Sequence, residues 1–264
     1  MLPRLNDRIF VQLVALLILT TIGELSAQNS EVPQWFLRPP AHKKYIYGTG
    51  VAPLTYDSTM SIQNATRLSV LGIAKSIRVR IRGSIADRKT GSGSESAFFI
   101  DEIYSNGVVE KISTNSVVLD QSVSGNNVFV LSCIKKDLSR TKNSFIQSLF
   151  HKIKNTKPMD APTWVNTHPK RNGFIYGVSK SEPYYDVDES WSYSEKMARY
   201  RIATTIKEDT KSMVRHYEDG SNNFIEVLME SSVDQILENA IVKERWYDKN
   251  NHHYCTLVEY QLRN

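Results

Sequence analysis

The sequence predicts an α+β fold of two tandem domains, each with the order β-α-β-α-β-β and its helices on one face of a small, mainly antiparallel sheet. The first observation is a repeated signature. Pro33-Gln34-Trp35 leads to Ile46-Tyr47-Gly48, and Pro162-Thr163-Trp164 leads to Ile175-Tyr176-Gly177. Each residue of the first signature is separated from its counterpart in the second by the same number of positions, as in Trp35 and Trp164 or Tyr47 and Tyr176. We call this separation the repeat offset, and its constancy indicates an internal duplication. The second observation is that helical and alternating apolar patterns follow in the same order in both copies.

Each copy opens with a strand and a helix, predicted from the residues that follow the Pro/Trp segment. The strands are expected at 45–51 and 174–180. Asp57 can cap the first helix. Helical spacing joins its apolar positions, which are Val70, Ile73, Ala74 and Ile77. A ridge of small residues predicts close packing on the sheet, and it comprises Ala65, Ser69, Gly72 and Ser76. In the second copy Arg199 stands where Val70 does, so we expect that helix to be less buried there.

The middle of each copy is expected to contain a strand and a second helix. Residues 77–82 alternate apolar and basic side chains, which is typical of a half-exposed strand. Its counterpart near 210–217 is a weaker strand pattern that is also compatible with a partly helical segment. After a Gly/Ser-rich turn, a helix is predicted through Phe99, Ile100, Ile103 and Tyr104. The counterpart helix has the better period, with Ile225, Leu228, Met229, Ser232, Val233 and Ile236.

Each copy is expected to end in a hairpin. Strands at 117–123 and 128–134 flank Gly125-Asn126-Asn127, and strands at 240–247 and 254–262 flank an Asp/Asn-rich turn. Asn and Gly suit such turns because they tolerate positive φ. The domains are therefore predicted at 28–137 and 162–264. They are joined by a basic linker, 138–161, that includes an amphipathic helix.

The N-terminal segment 1–27 has the plan of a signal peptide. Arg4 and Arg8 precede a mostly apolar run at 9–22, and Ala27 suits the cleavage site. The run is shorter than the roughly 20 residues of a membrane-spanning helix. No cysteine follows it, so no lipid anchor is expected. We expect an exported protein that is periplasmic or secreted.

The repeated motifs resemble those of a known family. At Pro-x-Trp, the Tyr-Gly-x-Gly strand end and the helix that follows, each copy resembles the LPP-twenty family of membrane-associated lipoproteins. It is also similar to the N-terminal module of flagellar assembly protein T. The resemblance implies an α+β domain and an envelope location, and it carries no catalytic residues. Two departures are the missing lipobox cysteine and Ser179 in place of the glycine found at Gly50.

Patterns that suggest catalysis or metal binding lack the context that such chemistry needs. Asp186 and Asp188 resemble an aspartyl nucleophile motif, but they are better explained as an acidic helix start. Alternation in a strand lets only His253 and Cys255 of the 252–255 segment share a face, fewer ligands than zinc uses. We therefore predict no enzyme activity, no catalytic residues, no bound metal and no cofactor. Cys133 and Cys255 are expected to be buried and unpaired.

The candidate binding residues are aromatic. The repeated Trp35, Tyr47, Trp164 and Tyr176 are expected either to seal the open end of each sheet or to form a binding edge. Tyr184, Tyr185 and Trp191, with Tyr193, form an aromatic-rich stretch suited to a protein or glycan contact.

The function predicted from these residues is that of a non-catalytic binding or assembly module of the cell envelope. Its partner would be another envelope protein or a cell-wall component. The basic residues between 135 and 157 are a possible contact for anionic surfaces within a net charge of +5. The alternative is a periplasmic hydrolase with a site between the domains, built from Asp186, Asp188, His216 and His253.

Overall fold

The computed structural model describes residues 32–90, 93–139, 161–206, 209–219 and 222–262. Pro33–Asn264 form one compact unit. The predicted signal peptide at 1–27 lies outside the described residues, as does the linker from 140 to 160. Leu138 and Ser139, at the start of the predicted linker helix, are not helical. Across the part of the chain that is described, no helix is both long and apolar enough to cross a membrane.

The first copy contains three helices and five strands among its described residues. Its elements are α1 (Gln34–Leu37), β1 (Tyr45–Pro53), α2 (Ser58–Ile77), β2 (Arg78–Thr90), β3 (Gly93–Ile103), α3 (Asn106–Asn115), β4 (Val117–Ser124) and β5 (Asn127–Lys135). Asp57 caps α2 as predicted, since its carboxylate accepts from the backbone N–H groups of Thr59 and Met60.

The second copy contains one α-helix and five strands among its described residues. A 3₁₀ turn at Thr163–Val165 is followed by β6 (Phe174–Ser181), α4 (Val187–Ile206), β7 (Asp209–Asp219), β8 (Asn222–Glu238), β9 (Ile241–Asp248) and β10 (His253–Gln261). The strand–helix opening and the closing hairpin therefore occur in both copies, as the repeat predicts.

Two three-stranded antiparallel sheets have the same design. The order is β1-β5-β4 in the first copy and β6-β10-β9 in the second. In each, the opening strand pairs with the last strand of the hairpin, and the long helix packs against that pair. Helix α2 lies on β1 and β5, while α4 lies on β6 and β10. The two sheets thus share a strand order and a helix position.

A four-stranded antiparallel sheet is built from both copies, in the order β3-β2-β8-β7. Its centre is the pairing of β2 with β8, which runs from Arg78 opposite Glu238 to Lys89 opposite Val227. The predicted half-exposed strand is confirmed here, since Val79 and Ile81 are fully buried and Arg82 is exposed.

The second helix predicted in each copy is wrong, because those residues form β3 and β8. In β3, Ile100 is buried whereas Phe99 and Ile103 are exposed, which is the alternation of a strand. The order is therefore β-α-β-β-α-β-β in the first copy and β-α-β-β-β-β in the second. The α+β class is confirmed. The spacing of the apolar residues in these two segments fits a helix. Both segments are strands instead because each pairs with β2.

The largest hydrophobic cluster of the described residues draws on both copies. Val79, Ile81 and Ile100 of the first copy pack with residues of the second, which include Ala198, Ile202, Ala203, Leu237 and Val258. Burial of an aliphatic side chain contributes about 1.5–3 kcal/mol. This cluster therefore stabilises the contact between the copies as well as each copy itself.

Candidate functional site

The two copies bring strand and helix together at equivalent glycines. A Cβ added to Gly48 would overlap the carbonyl oxygen of Ser69, and one added to Gly177 would overlap that of Ala198. Ser69 and Ala198 are themselves related by the repeat offset. The duplicated Tyr-Gly motif therefore supplies the close backbone approach that the small-residue ridge predicts. Ser179, which replaces Gly50, instead hydrogen-bonds Ser194 through their hydroxyls at 2.7 Å.

Both tryptophans of the repeated signature are buried. Trp35 is 5% exposed in α1 and Trp164 is 6% exposed in its 3₁₀ turn, each just after an extended proline. Trp164 donates from Nε1 to Glu244 at 2.8 Å, and Glu244 also accepts from Arg38 of the first copy at 2.8 Å. Of the two roles left open by the sequence, packing is the one that their burial supports.

The repeated tyrosines lie beside these cores, half-buried. Tyr47 packs near Cys133, and burial, with smaller contributions from Cys133 and Tyr45, raises its pKa to about 12. Tyr176 packs near Trp164 and donates its hydroxyl to Glu259 at 2.9 Å. Cys133 and Cys255 are both buried free thiols, and burial raises the pKa of Cys133 to about 12.

The loops that lead into α2 and α4 are held by the same hydrogen bonds. We call residues 54–57 and 183–186 the tyrosine loops. In the first, the Ser61 hydroxyl accepts from the backbone N–H of Thr55 at 2.9 Å and donates to the carbonyl of Asp57 at 3.2 Å. In the second, Ser190 does the same with Tyr184 at 2.8 Å and Asp186 at 2.9 Å. The repeat offset relates each of these residues to its equivalent in the other loop.

The tip of each tyrosine loop is a tyrosine that faces solvent. Tyr56 and Tyr185 have relative exposures of 108% and 99%, and the repeat offset relates them too. Tyr184 is half-exposed at 48% and packs on Tyr193, with ring centroids 4.9 Å apart. The predicted candidates Tyr184 and Tyr185 therefore lie at the surface. Tyr56 was missed by sequence reasoning, although the repeat offset applied to Tyr185 would have found it.

Trp191, the other candidate of the aromatic stretch, is only 3% exposed. It meets Phe36 and Tyr254 edge-on, with ring centroids 5.7 and 4.7 Å away. Phe36 also packs edge-on against Phe129, so Trp191 belongs to an aromatic group that spans the two copies. Its burial excludes a direct surface contact in this structure.

A buried ionic network also spans the two copies. Lys75 binds Glu102 at 2.6 Å, and Arg245 binds Glu195 at 2.6 Å. Arg199 is fully buried between the two carboxylates, 3.3 Å from Glu102 and 3.6 Å from Glu195. The expectation that α4 is less buried at Arg199 is therefore wrong. Glu102 of β3 faces inward and supplies a partner for Arg199. An apolar residue at position 199 would not need such a partner.

Charges in this network set the ionisation of its carboxyl groups. Burial alone would raise the pKa of Glu102, but Lys75 and Arg199 outweigh it and the pKa is lowered. Arg245 and Arg199 likewise outweigh the effect of burial and lower the pKa of Glu195. Both carboxylates are thus held ionised although their side chains are largely buried.

A cavity of about 200 Å³ adjoins this network, between α2, β1 and α4. Its wall includes Lys75 and Glu195, the aromatic residues Trp191 and Tyr104, and Asp188 from the first turn of α4. Burial raises the pKa of Asp188. The cavity therefore lies where the two copies meet.

The residues of the hydrolase hypothesis lie on separate elements. Asp186 and Asp188 are at the start of α4, His253 begins β10 and His216 is in β7. The side chain of His216 is outside the described part of the structure, and the described side-chain contacts join neither aspartate to His253. Within the described ranges, no three His, Cys, Asp or Glu side chains are grouped as metal ligands would be. A hydrolase site remains a prediction without a supporting contact.

In comparisons with protein-family models, curated proteins and solved structures, nothing matches this chain. The geometry of the site therefore carries the functional argument.

Proposed function

We propose that this chain is a non-catalytic, exported protein of the cell envelope that acts as a binding or assembly module through its two tyrosine loops. The observation that carries the proposal is the repetition of a fully exposed tyrosine, Tyr56 and Tyr185, on two loops that are anchored by equivalent serine hydrogen bonds. Two contact points on one compact unit suit a scaffold that holds a partner at two places.

The anchoring of the loops supports a binding role. A tyrosine has only two side-chain torsions, so it offers a large contact area at a small entropic cost. Its ring gains from burial while its hydroxyl still finds a hydrogen-bond partner, and such residues are enriched in interfaces. Because Ser61 and Ser190 each hold the loop backbone by two hydrogen bonds, little ordering remains for binding.

The cellular address is part of the same proposal. The apolar run at 9–22, between Arg8 and Ala27, supports export with removal of the leader. The Pro-x-Trp and Tyr-Gly motifs support kinship with LPP-twenty-like envelope proteins, in a duplicated form with domains at 28–137 and 162–264. The partner would be an envelope protein, and cell-wall binding is the other outcome that the experiment separates.

The test is capture from the organism's own envelope extract with the mature chain as bait. Proteins that elute are identified by mass spectrometry, and binding to purified cell wall is measured in parallel by sedimentation. We expect the Tyr56→Ala/Tyr185→Ala double variant to lose the captured protein, with at least about a tenfold fall in recovery.

The matched control is Phe99→Ala, since Phe99 is an exposed aromatic residue of the four-stranded sheet, 59% exposed, outside both loops. It should retain the partner. Equal capture by the double variant and the wild type would refute the role of the loops. Sedimentation of the wild type with cell wall, without a captured protein, would identify the wall as the ligand.

A further inference from the structure

Two residues in the wall of the cavity between α2, β1 and α4 each carry a buried oxygen atom with no hydrogen-bond partner among the described residues. One is Oγ1 of Thr49, a residue that is only 8% exposed, and the other is Oδ1 of Asp188. Both residues line the cavity. A buried polar atom left unpaired costs roughly 1–3 kcal/mol. Two residues of one cavity wall thus each carry an acceptor that a bound hydrogen-bond donor would satisfy.

The other charged residues of the cavity wall are already paired. Lys75 binds Glu102 at 2.6 Å. Glu195 accepts two hydrogen bonds from Arg245, at 3.0 and 2.6 Å. Burial and the charge of Asp186 raise the pKa of the Asp188 carboxyl group, while the backbone N–H groups at 188 and 189 and the charge of Arg67 lower it. The charge that the cavity wall leaves without a bonded counter-ion is therefore the carboxylate of Asp188.

The remaining wall is largely apolar and includes three aromatic residues. Phe36, Trp191 and Tyr104 contribute to it. Aromatic faces and edges accept an apolar body, and their π-systems attract an adjacent cation. The volume of about 200 Å³ is enough for one ring with a short substituent, because a cavity on the order of 150 Å³ binds benzene.

We propose that this cavity binds a small aromatic or aliphatic primary amine as its ammonium ion. The ammonium group donates to Asp188 Oδ1 and Thr49 Oγ1, and the apolar body lies against the aromatic wall. A carboxylate removed from water is stabilised by an opposite charge within hydrogen-bond reach. A neutral alcohol of the same shape supplies a donor without that charge, so the site should discriminate between the two. This site is independent of the tyrosine loops.

The experiment compares benzylamine with benzyl alcohol on the mature full-length chain by titration calorimetry at one pH and ionic strength. The two probes share a ring and differ in charge. We expect saturable binding of benzylamine, at least about tenfold tighter than that of benzyl alcohol. Asp188→Asn should abolish this preference, and Thr49→Val should weaken benzylamine binding several-fold while it leaves the preference for charge.

Two further variants complete the design. Glu189→Gln is the matched control, since Glu189 is an exposed carboxylate of the first turn of α4 that is not part of the cavity wall, and it should bind benzylamine like the wild type. Gly72→Met fills the cavity, because a Cβ at Gly72 meets its nearest neighbour, the Thr49 carbonyl oxygen, at an ordinary 3.5 Å. It should abolish binding with Asp188 intact. Absence of saturable benzylamine binding, equal binding of the alcohol, or indifference to both Asp188→Asn and Gly72→Met overturns the proposal.

Discussion

Arg245 in β9 donates a hydrogen bond from Nη1 to the carbonyl oxygen of Phe36 in α1, at 2.6 Å. Its guanidinium carbon also lies 4.6 Å from the centre of the Phe36 ring. Through Nε and Nη2 the same side chain binds Glu195. One buried arginine of the second copy therefore holds the entry segment of the first copy by a hydrogen bond and a cation–π contact, while an ion pair fixes it to α4.

Arg245→Ala is expected to reduce the free energy of unfolding by about 3–5 kcal/mol, since it leaves Glu195 short of its main counter-ion inside the protein. Urea denaturation followed by circular dichroism measures the change. Arg38→Ala is the control, because the Arg38 side chain is 44% exposed in its pair with Glu244. Such a pair contributes at most about 1 kcal/mol. Equal losses in the two variants would contradict the importance of the buried pair.

Arg199 is expected to be dispensable for stability although it is fully buried. Among the described residues, the network holds three cations and two carboxylates, and Nε and Nη2 of Arg199 have no hydrogen-bond partner. Without Arg199, Lys75–Glu102 and Arg245–Glu195 remain as two complete pairs. Arg199→Met should therefore leave the free energy of unfolding within about 1 kcal/mol of the wild type or raise it.

Glu195→Gln provides the contrast to Arg199→Met. It leaves Arg245 and Arg199 buried without a carboxylate between them, and a cost of about 3 kcal/mol or more is expected. The same urea titrations compare both variants. If Arg199→Met proved as damaging as Glu195→Gln, the bonds of Arg199 at 3.3 and 3.6 Å would be stronger than their geometry indicates.

The elements that the sequence predicted well are local ones. The Asp57 cap, the strands that begin at Tyr45 and Phe174, and both closing hairpins depend on neighbouring residues and on turn chemistry. Gly125, with φ of 56°, adopts the left-handed conformation expected of the first hairpin turn. The duplication placed the same elements in the second copy.

The elements that the sequence predicted wrongly depend on distant partners. In β8, Val233 and Leu237 are buried and Ile236 is 45% exposed, yet these positions also fit the spacing of a helix. Pairing with β2, which belongs to the other copy, makes this segment a strand. The burial of Arg199 depends in turn on Glu102 of β3. Because β3 was predicted as a helix, the sequence did not predict the ionic network or the cavity beside it.

Acid is expected to weaken the fold through Glu102 and Glu195. Their pKa values in the folded protein lie below the ordinary value of 4.5. The stability that they contribute is therefore present above about pH 4.5 and is lost as the pH falls through the lowered values. Asp188 acts in the opposite direction, since its pKa is raised. The free energy of unfolding, measured by urea titration between about pH 6 and pH 3, should fall.

The control for the acid effect is the Glu102→Gln/Glu195→Gln double variant. It should be less stable than the wild type near neutral pH, yet its stability should change less with acidification because the two titrating groups are absent. Parallel curves for the wild type and the double variant would show that other carboxyl groups dominate the acid response.

The duplicated glycine provides the sharpest test of the packing between strand and helix. Gly177→Ala places a Cβ against the backbone carbonyl of Ala198, which cannot move without displacing α4. Overpacking of this kind costs about 1–3 kcal/mol or more.

Gly107→Ala is the control, and it should change the free energy of unfolding in the opposite direction. Gly107 lies in α3 with only the Ser105 hydroxyl near its Cβ position, at 3.9 Å. Alanine there should raise the free energy of unfolding by about 0.5–1 kcal/mol. Urea titrations in which Gly177→Ala matched Gly107→Ala would show that α4 does not pack closely on β6.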